Sequence, residues 1–205
     1  NLSLESNGYH KNYNTDIFEK VLINDLRYSS IPKINSKGFI NKFNLLLKNV
    51  TTESDNSDEY KNEFRSQNFG SILYDISYPL KKEGNNFDNF LSGKASFMYS
   101  PNKNKNIKDL DRKIDVNNIF NQNRLGLNDS VEGGQSLTLG GEFKITDKLN
   151  NSILTAGLAS VLRDKNEQKL PKSSTINNKS SDFIGSLNFK PNNNFNLDYN
   201  FSLDN

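Results

Sequence analysis

The stretch FNLDYNFSLDN, residues 195–205, alternates Phe195, Leu197, Tyr199, Phe201 and Leu203 with Asn196, Asp198, Asn200, Ser202 and Asp204. Successive side chains of a strand point to opposite faces, so this period of two predicts a strand with one apolar and one wet face. The same rhythm recurs upstream. Gly38 to Val50 sets Phe39, Phe43, Leu45 and Leu47 against Lys42, Asn44 and Lys48. Gly70 to Leu80 sets Ile72, Tyr74, Ile76, Tyr78 and Leu80 against Ser71, Asp75 and Ser77. Leu91, Ala95, Phe97 and Tyr99 share one parity, and Leu137, Leu139, Phe143 and Ile145 oppose Ser136, Thr138, Glu142 and Lys144. Phe18, Leu22, Leu26 and Tyr28, and later Phe183, Leu187 and Phe189, repeat the pattern less regularly. NLSLES adds a short piece that runs into the polar GYHKNYNTD. Eight or nine strands are expected. In SILTAGLASVLR the residues Leu154, Leu158 and Leu162 also fit the i, i+4 spacing of a helix, but Thr155, Gly157 and the neighbouring segments favour a strand.

The alternating segments run roughly 9–14 residues, against the about 9–11 with which a tilted strand crosses a hydrocarbon layer. Connections alternate in length: short near 81–86, 147–151 and 191–194, long near 51–67, 101–134 and 164–181. In a meander every second connection lies on the same side, so one side carries tight turns and the other long polar loops. The expected fold is therefore all-β, an antiparallel up-and-down meander forming an arc of a large transmembrane outer-membrane β-barrel, with residues 1–205 as one partial barrel domain. The pattern stops at Asn205 without a turn and the chain opens without Met or signal peptide, which reads as a fragment.

Composition strengthens this picture. Only 33% of residues are hydrophobic and the mean hydropathy is -0.76, poor for filling a water-soluble core, yet 14 Phe and 8 Tyr are present. A barrel wall reconciles the two, because its lumen and loops are polar. The net charge of +2 is spread without a basic stripe, so no nucleic-acid partner is expected. With no cysteine, neither disulfides nor thiolate metal sites form within this chain. The rival readings are another outer-membrane barrel, such as a porin or adhesin, and a soluble secreted β-sandwich acting as a binding module.

Candidate chemistry is sparse. His10, the only histidine, is expected in an exposed polar loop, with no second His or Cys to join it. Asp109, Asp111 and Asp115 lack the central Gly and terminal Glu of a calcium loop and are expected to be solvated. Gly133-Gly134 and Gly140-Gly141 form no phosphate cradle; they suit a tight bend and a curved or bulged wall. No catalytic, cofactor or metal site is expected, and no enzymatic activity. One constellation stands apart, VNNIFNQNRLGLNDSVEGGQSLTLGGEF at 116–143, in which Asn123, Arg124, Asp129 and Glu132 crowd the end of a long loop. Either Arg124 ties that loop down by charge-assisted hydrogen bonds, or its charges are solvated and do little.

This stretch resembles the barrel domain of the LptD family of lipopolysaccharide-assembly outer-membrane proteins. Asn123, Arg124, Gly126, Asp129, Glu132 and Gly134 follow that family's loop motif in order, with Leu125 in place of an aromatic and Ser130 in place of Arg. Arg163-Asp164-Lys165, Leu170-Pro171, Ser180-Ser181-Asp182 and Leu26-Arg27-Tyr28 before Pro32 are similar to further family segments. The resemblance implies a very large barrel, preceded by a periplasmic β-jellyroll and plugged by a lipoprotein of the LptE type. It implies that lipopolysaccharide arrives from a periplasmic bridge of the LptA type and leaves sideways, through a seam between first and last strands, into the outer leaflet. Lys42, Lys48, Glu142, Lys144, Asp198 and Asn200 would then face a hydrated lumen. Phe97, Tyr99, Phe143, Phe189, Tyr199 and Phe201 would face outer-membrane lipids or sit in interfacial girdles, and the long loops would lie outside and help cap the barrel.

Overall fold

A computed structural model of the chain describes residues 1–12 and 16–204. Residues 13–15 of the expected first connection, and Asn205, lie outside the described residues. Ten strands form one antiparallel sheet: β1 (Leu2–Asn12), β2 (Phe18–Ser29), β3 (Lys33–Ile34), β4 (Ile40–Asp55), β5 (Arg65–Glu83), β6 (Phe87–Ser100), β7 (Gly134–Asp147), β8 (Ser152–Arg163), β9 (Phe183–Asn192) and β10 (Phe195–Leu203). Their order follows the chain, with the two-residue β3 clipped beside β4, and the sheet does not close: β1 and β10 are its edges. This is the all-β up-and-down meander expected, open as an arc of a barrel wall is open. Nine long strands and one short one replace the eight or nine counted from periodicity.

The alternation settles which face each side chain takes. On one face, left bare, lie Leu22, Leu26, Leu47, Tyr74, Tyr78, Leu91, Phe97, Leu137, Leu139, Phe143, Leu158, Tyr199 and Leu203, all exposed. The other face carries Asp25, Lys48, Ser71, Ser96, Ser136 and Thr138, all buried. Leu154 to Leu162 is strand β8, not helix, because its backbone pairs with β7 from Ser136↔Arg163 to Thr146↔Ser152. Tight turns follow local side-chain chemistry. Asp147 accepts hydrogen bonds from the backbone N–H groups of Leu149 and Asn151, each 2.8 Å, with Asn150 in the left-handed region at φ 64°.

Two boundaries differ from the sequence reading. The loop expected at 51–67 shrinks to 56–64, since Thr51 pairs with Ser66 and Thr52 with Arg65. Ladder hydrogen bonds join backbones and need no apolar side chain, so the strands continue past the greasy band. For the same reason His10 lies in β1 rather than a loop, opposite Lys20, with its ring 5.2 Å from that of Phe18.

The larger difference concerns the segments 101–133 and 164–182. Expected as polar loops, they fold back over one face of the sheet and carry most of the dry core. Ile107, Ile114, Ile119, Leu125, Leu127, Leu170 and Ile176 pack together against Ala159, Val161 and Ile184 of the sheet. Ile119, Leu170, Ile176 and Val161 have no exposed surface at all. Gly140 lets the segment come this close: a Cβ there would stand 2.6 Å from Ala159 Cβ and 2.9 Å from Phe120 Cζ.

Candidate functional site on the covered face

The expected loop constellation resolves into two clusters. Arg124 donates to Glu132 twice, from Nε at 2.9 Å and Nη2 at 2.5 Å, and also reaches Thr138 Oγ1 (3.1 Å) and Ser136 Oγ (2.9 Å) of β7. Arg163, at the end of β8, donates to the same carboxylate and, at 2.5 Å, to the carbonyl of Gly133. The side chains of Arg124, Glu132 and Arg163 are 2%, 2% and 0% exposed, so solvent screens none of these contacts. Burial pushes the Glu132 carboxyl up, but Arg124 and then Arg163 outweigh that and hold it below the usual carboxylate range. Gly134 starts β7 at φ 93°, a conformation open to Gly at little cost, and Asn104 accepts from the Gly133 N–H at 2.8 Å.

Asp129 belongs to the other cluster. It accepts from Lys105 Nζ at 2.5 Å, and the same ammonium lies 3.4 Å from Glu59 and over the Tyr60 ring. Burial pushes Lys105 down, yet Asp129 and then Glu59 more than compensate and hold it above its ordinary value. Asn123 acts locally: its amide accepts from Leu127 N (2.8 Å) and donates to Leu127 O (2.9 Å), bridging the turn at Gly126. Farther along the wall, buried Lys48 pairs with Asp25 at 2.7 Å and donates to the Asn128 carbonyl at 2.7 Å, while Gln122 donates to Ser71 Oγ at 2.7 Å. Segment 101–133 is thus fixed to β4, β5, β7 and β8.

Glu142, Lys144, Asp198 and Asn200 fall in two neighbouring cross-strand rows beside this segment. One row runs Glu142, Gly157, Ser186, Asn200; the next runs Lys144, Thr155, Asn188, Asp198. Lys94 stands 3.6 Å from Glu142, and Asp198 accepts from Asn188 and, at 2.6 Å, from Asn196. Lys42 lies in β4, level with Asp75 of β5. Among the described residues no group of three His, Cys, Asp or Glu is placed to hold a metal ion.

A family model described as LptD: LPS transport system D matches residues 27–205, which include the Arg124, Glu132 and Arg163 cluster and both polar rows. The chain belongs to the LptD family. No curated protein matches it. Membership makes this a chain of an outer-membrane family concerned with lipopolysaccharide transport. In this LptD-family chain the residues that sequence reasoning named without joining them to this constellation are Arg163, Ser136 and Thr138, the partners of Glu132 and Arg124. The signal for Arg163 was its parity: it occupies the covered face of β8, in step with Ala159 and Val161, where a lone charge needs a partner.

Proposed function

We propose that this chain forms part of the outer-membrane translocon that inserts lipopolysaccharide into the outer leaflet. The match to the LptD family over residues 27–205 carries the reading, and an open wall with two chemically distinct faces supports it. The bare face, lined by Leu139, Phe143 and Leu158, meets acyl chains. The covered face turns Glu142, Lys144, Asp198 and Asn200 toward a hydrated lumen that sugar headgroups cross. The partners are lipopolysaccharide, outer-membrane lipids, a plug lipoprotein of the LptE type and a periplasmic bridge protein of the LptA type. The protein resides in the outer membrane of a Gram-negative cell and makes or breaks no bond. Its long connections lie outside, so 101–133 and 164–182 stop the wall from the cell surface.

Depleting the intact protein and quantifying lipopolysaccharide at the cell surface tests this. Surface lipopolysaccharide falls as the protein is lost; an unchanged level overturns the function. Orientation is tested separately by labelling residues 55–60 on intact cells, where reaction only after the outer membrane is opened reverses the assignment.

A further inference from the structure

We propose that the cleft between residues 116–120 and the covered face of β7–β10 is a contact site for uncharged sugar rings, rather than for phosphate. The inference rests on the lipopolysaccharide-transport reading and names which part of that glycolipid this surface holds. Beside the cleft, the core around Ile119 and Leu170 is dry. At the two polar rows the cover ends, and a cavity of about 490 Å³ opens under Val116, Asn117 and Phe120. That size lies within the range of small-molecule sites, roughly 300–1,000 Å³.

Three observations set the ligand chemistry. First, the side-chain amides of Asn117 and Asn200 and the hydroxyl of Ser186, contributed by the segment, β10 and β9, line the cleft and have no side-chain partner among the described residues. Amides and hydroxyls both donate and accept, as sugar hydroxyls do. Second, the cleft's charged residues are one lysine, Lys94, against two carboxylates, Glu142 and Asp198. Lys94 already stands beside Glu142 at 3.6 Å, so the residues lining the cleft leave no unpaired cation for a phosphate. Third, the floor is held open by Gly157. A Cβ there would meet nothing closer than Ser186 Oγ at 3.6 Å, so packing does not demand glycine, unlike at Gly140. Glycine within a strand weakens it, and one cause of its presence is a ligand that must come close.

The test uses the intact protein purified in detergent and a fluorescent oligosaccharide released from lipopolysaccharide and dephosphorylated. Saturable binding is expected, unaffected by inorganic phosphate. Asn117→Ala and Asn200→Ala each weaken it roughly 3- to 10-fold, the size of one neutral hydrogen bond. Gly157→Val fills the floor and abolishes binding, while trypsin resistance equal to wild type shows that the fold is kept. Absence of saturable binding by wild type, undiminished binding by Gly157→Val, or displacement by phosphate each overturns the proposal. If depletion lowers surface lipopolysaccharide but the cleft variants bind as wild type does, the sugar site falls and the transport reading stands. If the oligosaccharide binds as expected while depletion changes nothing, the transport reading falls alone.

Discussion

Glu132 faces two guanidinium groups in a space that water does not enter, and each partner has a second task. Arg124 holds β7 through Ser136 and Thr138, and Arg163 holds the Gly133 carbonyl. Removing one member of a buried ion cluster leaves the others uncompensated, at a cost of about 3–5 kcal/mol. Glu132→Gln is therefore expected to loosen segment 101–133, read as faster tryptic cleavage at Lys108, Arg112 or Lys113 in the intact protein. The same carboxylate gives docking a pH dependence. Its folded-state pKa lies below the unfolded value of about 4.3. Its contribution is complete above that value and is lost as pH falls through the folded pKa, because protonation is easier in the released chain. The protection factors of the segment's amides, taken against the unfolded exchange rate at each pH, should thus be flat from neutral pH to about 5 and fall only under stronger acid. In Glu132→Gln that acid step should be missing.

At the level of elements, β8 shows what alternation reveals and what it hides. Leu154, Leu158 and Leu162 repeat every fourth residue, which a helix would also do, and only pairing with β7 and β9 decides for a strand. The bare face was legible because Leu158 and its neighbours keep one parity throughout. Apolar residues on the other parity were not interpretable alone: Leu46, Leu73, Met98, Val161 and Ile184 interrupt the polar series and are buried, and for Val161 and Ile184 the reason is the covering segments that pack on them. The two covering segments hid their own core, since Ile107, Ile114, Ile119 and Leu170 are spaced without period. Arg163 was hidden likewise, because its partner Glu132 comes from before the preceding strand. The bare face yields a direct expectation. Leu158→Arg, near the middle of the apolar band, costs about 2–4 kcal/mol in the bilayer and lowers the fraction of protein that runs as the folded, heat-modifiable form. Ser77→Lys on the opposite face leaves that fraction close to wild type.

Across the whole molecule, the sheet is a meander in which, the two-residue β3 aside, each strand pairs only with its neighbours in the chain, so β4 and β8 share no ladder. They are joined instead through 101–133, by Lys48 to the Asn128 carbonyl at one end and by Arg163 to Glu132 at the other. Mutations in groups so separated ordinarily add, and coupling betrays a shared partner. Lys48→Met and Glu132→Gln are accordingly expected to be non-additive in the tryptic-cleavage assay, the second change having less left to release once the first is made. Additive effects would show that the two attachments act independently.

A curved strip tied across its hollow side behaves as a bow does under its string. Because 101–133 is fixed at β4, β5, β7 and β8, the bend of these strands is set by the length of that chord and cannot relax one strand at a time. Any widening of this sheet then has to occur outside the tied stretch, toward β1 on one flank or β9 and β10 on the other.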